Sequence, residues 1–117
     1  MQEELRSIET YLRNSKNNWR WHTAQIISEV PTGNIATYGA IAEAVNRRHN
    51  LNISSRNVAW LRGKLYELLG HDTIVPLHRI AVAGDVNSKR DSETTKSYND
   101  RLREKEGSLE NPVWWQA

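Results

Sequence analysis

The absence of cysteine is the feature of this sequence that most limits how the chain can fold. Disulfide bridges, cysteine-ligated zinc and iron–sulfur clusters all require thiol groups, so none of them can hold this fold together. With 117 residues, the chain is long enough to bury a core that is stable without such links. The fold must therefore rest on packed apolar side chains, and an enzyme that uses a cysteine nucleophile is excluded.

The composition is that of a soluble globular protein with a weak positive charge. Charged residues make up 26% and hydrophobic residues 38%, and the formal net charge of +2 permits a polyanionic partner without requiring one. The sequence has neither the roughly 20 consecutive apolar residues of a membrane span nor a signal-peptide pattern. We therefore expect a protein without a membrane partner, located in the cytoplasm, at the nucleoid of a bacterium or in the nucleus of a eukaryote. We also expect it to be a monomer.

The histidines and carboxylates do not form the patterns of known metal or hydrolytic sites. His22, His49, His71 and His78 lack the spacing of metal ligands, and we find no paired carboxylates of the kind that nucleases and glycosylases use. We predict that the protein holds no metal and no other cofactor.

The spacing of apolar residues predicts five helices, over 1–14, 18–30, 40–48, 55–69 and 93–106. Ser54 or Ser55 is the expected cap of the fourth helix, and Ser92 caps the fifth, which Gly107 closes. Proline and glycine in 30–33 are placed as a type I turn prefers. The β-branched residues around Gly84 predict a hairpin over 80–86.

This order of elements predicts a mainly α fold with a small β-hairpin. Two helices joined by a polar loop and followed by a hairpin are typical of a winged helix-turn-helix domain. An ordinary helical bundle with a stray hairpin would give the same pattern. We expect an N-terminal helical extension over residues 1–20 and the main domain over 21–117.

The polar face of the fourth helix is the first candidate for a functional surface. At about 100° per residue, Val58, Leu61, Leu65, Leu68 and Leu69 share one face, and Arg56, Trp60, Gly63 and Glu67 share the opposite one. An exposed Arg56 and Trp60 beside a glycine would suit the close approach of a nucleic-acid backbone and its bases. Alternatively, the N-terminal helices or the C-terminal tail cover Trp60, because tryptophan is mostly buried in proteins.

Three other short stretches are candidates for the same surface. Tyr38 offers a hydroxyl near the start of a helix, where a phosphate could bind, although a tyrosine packed against the core is more common. Lys89 and Arg90 could contact phosphates or a base, or could form a solvated loop. Taken alone, His78 and Arg79 are more often structural than catalytic.

Three segments, taken in their order along the chain, indicate a protein family. They are residues 30–42 (VPTGNIATYGAIA), 55–58 (SRNV) and 75–80 (VPLHRI). Together they resemble the DNA-binding domain of the O6-alkylguanine-DNA alkyltransferases, and the resemblance extends from about Trp21 to Gly107. It implies a winged helix-turn-helix fold in which residues 21–117 are the DNA-binding domain.

The position of the family's nucleophile is occupied by Leu77. In the family, a Pro-Cys-His-Arg segment presents the thiolate that accepts the alkyl group from a flipped guanine. Because a leucine side chain has no nucleophilic atom, alkyl transfer through this position is impossible. The chain is thus more similar to the alkyltransferase-like proteins, which bind alkylated DNA without repairing it, although these usually have tryptophan at this position.

The resemblance also implies a role for each matching residue. Tyr38 would rotate the target phosphodiester, Arg56 would fill the gap left by the extruded base, and Arg90 would pack on that base. His78 and Glu106 would survive as a vestige of the network that activates the cysteine. The predicted DNA-binding residues are Tyr38, Arg56, Asn57, Trp60, Lys89 and Arg90, and the predicted lesion pocket contains Tyr38, Pro76, Leu77, His78, Val86, Ser88 and Arg90.

Two functions follow from these predictions. The favoured one is the non-enzymatic binding of O6-alkylguanine in double-stranded DNA, by minor-groove docking and base flipping, which would mark the lesion for the proteins of nucleotide excision repair. The alternative is a DNA-binding or protein-binding module that has lost lesion recognition. Leu77, Trp60 and loops longer than those of the family before and after Arg56 favour this alternative.

Overall fold

Helices supply most of the fold, because apolar residues recur at helical spacing along most of the chain. The computed structural model describes residues 2–82 and 92–116. Within these ranges lie six α-helices and three short strands. The prediction of a mainly α fold is therefore confirmed.

The N-terminal segment forms two short helices, α1 (Gln2–Ser7) and α2 (Glu9–Arg13), instead of the single helix predicted. The chain turns at Ile8, which lies between them. Leu5 and Leu12 are both fully buried, and they belong to the same hydrophobic core as the later helices. The N-terminal segment is thus packed into the fold.

The turn after α3 (Trp19–Ile27) differs from the predicted type I turn over 30–33. The backbone N–H of Asn34 donates a hydrogen bond of 3.1 Å to the carbonyl of Pro31, and Gly33 has a φ of 84°. A positive φ at the third position is what a type II turn requires, so glycine is needed there. The turn leads into the strand β1 (Asn34–Thr37).

Two helices form the predicted helix-turn-helix pair. These helices, α4 (Tyr38–His49) and α5 (Ser55–Leu69), pack against each other, and α3 packs on α4. Helix α4 begins at Tyr38 because the Thr37 side chain accepts a hydrogen bond from the backbone N–H of Ala40, whose position had been the predicted start.

The boundaries of α5 agree with the prediction, but its apolar face is narrower. Ser54 caps the helix and forms a capping box with Asn57. Val58, Leu61 and Leu65 are buried as predicted, whereas Leu68 is 45% exposed, so its assignment to the core face was wrong.

The three strands form a small parallel sheet in the order β2-β1-β3. Strand β1 pairs with β2 (Ile80–Ala81) on one side and with β3 (Val113–Trp114) on the other. The first strand of the predicted hairpin is therefore present as β2, whereas the turn at 83–86 lies outside the described residues. Strand β3 was not predicted.

The last helix, α6 (Glu93–Glu106), begins after the Ser92 cap and ends at Gly107, as predicted. Its fully buried Arg103 donates hydrogen bonds to the carbonyls of His78 and Ile80, which fixes α6 against β2. In the part of the chain that the structure describes, no helix is long and apolar enough to cross a membrane.

Candidate nucleic-acid interface

A cleft of about 740 Å³ lies between the start of α4 and one side of α5. Its volume falls within the range of sites that hold a small ligand, roughly 300–1,000 Å³. Tyr38 and Arg56, two of the residues predicted to bind DNA, both line it. The lining also includes Thr37, Gly39, Ser55, Ala59, Arg62, Gly63, Tyr66, Val82, Ser92 and Thr95.

The exposed ridge of α5 borders this cleft. Arg56 is exposed in the first turn, and Trp60, one turn later, is 44% exposed. Trp60 is also partly covered, because its ring centroid lies 6.2 Å from that of Trp19 on α3. The side-chain oxygen of Asn57 accepts the backbone N–H of Ser54 at 2.8 Å, so this residue has a structural role beside its predicted contact with DNA.

Arg62 is a feature of the cleft that the sequence prediction missed. The residue is almost completely buried, and its Nη1 donates to the Tyr38 hydroxyl at 3.2 Å. Its Nη2 lies 3.4 Å from the hydroxyl of Tyr66, which in turn donates to Asn99 on α6. The guanidinium therefore links the two tyrosines of the cleft. The sequence could have indicated the burial of Arg62, since this residue follows Val58 by one turn and so falls among the apolar positions of α5.

The segment around Leu77 lies behind this cleft. Leu77 begins a short 3-10 turn, is 1% exposed and packs in the hydrophobic core, and the preceding Pro76 is also buried. Its side chain adjoins a separate cavity of only about 10 Å³. The backbone carbonyl of Leu77 accepts a hydrogen bond of 3.1 Å from Nε of Arg62. Two buried arginines thus hold the backbone of this segment. Arg62 donates to the carbonyl of Leu77, and Arg103 donates to the carbonyls of His78 and Ile80.

The structure brings together His78 and Glu106, the pair predicted as a vestigial network. Nε2 of His78 lies 2.8 Å from Oε2 of Glu106, and Arg79 donates to both oxygens of the same carboxylate at 3.0 and 2.8 Å. Arg79 also donates to the carbonyl of Val30 and to the hydroxyl of Thr32, so the network fixes α6 to the turn before β1.

Burial and neighbouring charges together set the pKa values of Glu106 and His78. Burial alone would raise the pKa of Glu106, but hydrogen bonds from Arg79 and His78 outweigh burial and lower that pKa to about 2. For His78, burial is the largest influence and lowers the pKa, although Glu106 opposes it. Because an ionised carboxylate only accepts hydrogen bonds, neutral His78 must carry its proton on Nε2. Its Nδ1 then has a lone pair, but the neighbouring Leu77 offers no proton for it to take.

Four predicted site residues, Val86, Ser88, Lys89 and Arg90, lie outside the described residues. Within 2–82 and 92–116, no three histidine or carboxylate side chains cluster as a metal site would require.

Comparison with known proteins identifies one family. The family model for the DNA-binding domain of 6-O-methylguanine DNA methyltransferase matches residues 18–109. Searches of curated proteins and of solved structures found no match. The matched range contains α3 to α6, the cleft and the segment around Leu77, whereas α1 and α2 precede it.

Proposed function

This chain belongs to the 6-O-methylguanine DNA methyltransferase family through its DNA-binding domain, and from this membership we propose that it binds O6-alkylguanine in double-stranded DNA without removing the alkyl group. The bound complex would mark the lesion for nucleotide excision repair.

The cleft beside Arg56 is the observation that carries this proposal. A purine that leaves the helix needs a pocket of its own size, and the cleft of about 740 Å³ can hold one. Arg56 is exposed at its edge, where its side chain can enter the base stack and replace the extruded base. Tyr38, at the start of α4, also lines the cleft, where its hydroxyl can meet the phosphate of the rotated nucleotide. This arrangement supports base flipping by docking of α5 in the minor groove.

Leu77 supports the absence of alkyl transfer. The residue has no nucleophilic atom, and it is buried behind the cleft. His78 and Glu106 form a hydrogen-bonded pair next to it, but a general base needs a nucleophile to deprotonate. We therefore expect the mass of the protein to remain unchanged, and the lesion to remain intact, after incubation with a duplex that contains O6-methylguanine.

The proposal is tested by comparing the affinities of wild type and Arg56→Ala for two duplexes that differ only in one O6-methylguanine. Wild type should prefer the modified duplex, and Arg56→Ala should lose that preference, because nothing then fills the gap in the stack. Arg47→Ala is the matched control, since Arg47 is an exposed arginine of the same helix pair that does not line the cleft. Equal affinity of wild type for both duplexes would contradict the proposal.

A second function is favoured by the position of Arg62. Its buried guanidinium lines the cleft and contacts Tyr38, so the site contains a positive charge that an alkyl group does not need. A module that binds undamaged DNA through the same scaffold would show this arrangement too. Such a module would bind plain and O6-methylguanine duplexes equally, so the same titration decides between the two functions.

A further inference from the structure

The ridge of α5 has a second side, opposite the cleft, where two cations lie over a tryptophan ring. The guanidinium of Arg20 lies 5.2 Å from the centroid of the Trp60 ring, and Nζ of Lys64 lies 5.7 Å from it. Trp19 packs against the same ring at a centroid distance of 6.2 Å, and the two ring planes are tilted by 45°. We refer to Trp60, Arg20 and Lys64 as the Trp60 surface.

Helical geometry separates this surface from the cleft. At about 100° per residue, Ala59 and Tyr66 project to one side of Arg56, whereas Trp60 and Lys64 project to the other. The lining of the cleft agrees, since it includes Ala59 and Tyr66 among the described residues but neither Trp60 nor Lys64. Arg56 therefore stands between two different surfaces of the same helix.

This separation matters because a DNA duplex has two strands. If Arg56 enters the stack and the modified base turns into the cleft, the other side of α5 faces the complementary strand. On that strand, one base has lost its pairing partner. An unpaired base exposes its flat face, and stacking on an aromatic side chain is the usual way in which proteins hold such a base.

The chemistry of the Trp60 surface fits such a nucleotide. Trp60 as a whole residue remains 44% exposed, and an exposed aromatic side chain offers a surface for stacking. Arg20 and Lys64 lie over the ring and supply positive charge within reach of the phosphates of a stacked nucleotide. Nη1 of Arg20 also donates to the carbonyl of Tyr11 at 3.3 Å. Lys64 also donates to Glu67 at 3.2 Å, but both side chains are exposed, and such a pair exchanges readily for a phosphate.

We propose that the Trp60 surface binds the complementary strand, with the unpaired base opposite the lesion stacked on Trp60 and the flanking phosphates beside Lys64 and Arg20. This inference rests on the proposed function. It adds a second nucleotide site, so that the protein holds both members of the separated base pair.

The test places 2-aminopurine opposite O6-methylguanine, because this base fluoresces when it is unstacked and is quenched when it stacks. With wild type, the fluorescence should stay low on binding, since the unpaired base moves from the helix onto Trp60. With Trp60→Ala, it should rise, and affinity for the modified duplex should fall by about tenfold, the order expected for the loss of one stacked base. Trp60→Phe should restore both signals, because it keeps an aromatic face.

Trp114→Ala is the matched control, since Trp114 on β3 is exposed to a similar extent, 39%, and does not line the cleft. This variant should behave as wild type does. Thermal melting of each variant shows whether loss of Trp60 has disturbed its packing on Trp19. The proposal is overturned if Trp60→Ala binds as wild type does, or if Trp60→Phe fails to restore binding while it melts normally.

A second duplex separates this inference from the proposed function. It carries one unpaired 2-aminopurine opposite an abasic site and contains no alkylated base. In one outcome, wild type binds the modified and plain duplexes equally and yet quenches this probe, while Trp60→Ala does not quench it. That result would contradict lesion recognition but support binding of an unpaired base by the Trp60 surface. If wild type prefers the O6-methylguanine duplex but Trp60→Ala gives the same affinities and the same probe fluorescence, the proposed function stands and the role of the Trp60 surface is contradicted.

Discussion

Leu77 fills a position at which the size of the side chain is tightly limited. It is 1% exposed, and the cavity beside it measures only about 10 Å³. Leu77→Trp, which introduces the residue typical of alkyltransferase-like proteins, should therefore lower the free energy of unfolding by about 1–3 kcal/mol through overpacking. Leu77→Met, which nearly conserves volume, should cost less than about 1.5 kcal/mol. Urea unfolding of the three proteins checks this order, and a tryptophan variant as stable as wild type would show that a larger pocket exists.

Glu106 should make the free energy of unfolding decrease at acid pH. Its folded pKa of about 2 lies below the ordinary value of 4.5. The unfolded chain therefore takes up a proton first, and the stabilisation present above pH 4.5 is lost as the pH falls towards 2. The loss should be on the order of 3 kcal/mol, because the folded and ordinary pKa values lie about two and a half units apart and one unit corresponds to about 1.4 kcal/mol.

Glu106→Gln tests this dependence. The variant should be less stable than wild type at pH 7, and its free energy of unfolding should decline less between pH 4.5 and 2. The lowered pKa of His78 adds a loss of the same sign at higher pH, which begins as the pH falls below about 6.5. Denaturant unfolding between pH 7 and 2.5 measures both parts. Parallel curves for variant and wild type below pH 4.5 would show that Glu106 does not carry the acid effect.

The contacts of buried charged residues could not be predicted from the sequence. Arg62 and Arg103 hold the backbone of residues 77–80 from two helices, and neither was predicted to do so. Arginine is rarely buried unless its donors are satisfied, and the acceptors here are backbone carbonyls from another part of the chain. No local pattern encodes such a partner.

At the scale of whole elements, α1 supports the loop that leads to Leu77. Oε1 of Glu4 accepts hydrogen bonds from the Thr73 hydroxyl at 2.8 Å and from the backbone N–H groups of Ile74 and Val75 at 2.9 and 3.2 Å. The helix therefore does more than bury Leu5. It satisfies donors of a loop that has no regular structure of its own.

Loss of this acceptor should destabilise the protein. Glu4→Ala leaves the donors of residues 73–75 without their partner and should lower the free energy of unfolding by about 1–2 kcal/mol. Glu4→Gln keeps Oε1 as an acceptor and should cost less, and Glu3→Ala, at the exposed neighbouring position, should cost almost nothing. Chemical unfolding of the three variants checks the order. Equal losses for Glu4→Ala and Glu3→Ala would show that α1 does not hold the loop.

Elements with caps at both ends were predictable, and short elements were not. Both α5 and α6 begin after a serine cap and end at a glycine, so their bounds agree with the prediction. Strand β3 has two residues and exists only through pairing with β1, far away in the sequence. The break at Ile8 depends on how the two N-terminal helices pack, which the apolar spacing alone does not contain.

At the scale of the whole molecule, part of the candidate site could be predicted from the sequence, namely Tyr38 and Arg56. The placement of Leu77 and Arg62 depends on how the helices pack. Motif matching assigned Tyr38 and Arg56 to the same function, and both line one cleft. It also placed Leu77 in the pocket, whereas the structure has this side chain in the core, and Arg62 lies between it and the cleft. Motif matching can assign a segment to a site, but whether one of its side chains lies in the cleft or in the core depends on the residues it packs against.

The distribution of charge over the molecule predicts how DNA binding responds to salt. The formal net charge is only +2, and several cations, such as Arg48 and Lys96, are already paired with carboxylates. Among the described cations that line the cleft or contact Trp60, those with exposed or half-buried side chains are Arg20, Arg56 and Lys64. Because Arg56 enters the base stack in the proposed complex, Arg20 and Lys64, together with the predicted Lys89 and Arg90, give about two to four phosphate contacts. The slope of log K against log salt should therefore lie between about −2 and −4.

A slope of this size means that counterion release supplies only part of the affinity, and that stacking by Arg56 and Trp60 must supply the rest. Titration of the O6-methylguanine duplex from low to physiological NaCl measures the slope. Lys64→Gln should reduce its magnitude by about one, because one phosphate contact is lost. Trp60→Ala should weaken binding at every salt concentration and leave the slope unchanged, since an indole releases no counterion. A slope steeper than about −7 would show that phosphate contacts dominate, and the protein would then bind any duplex with little regard for a lesion.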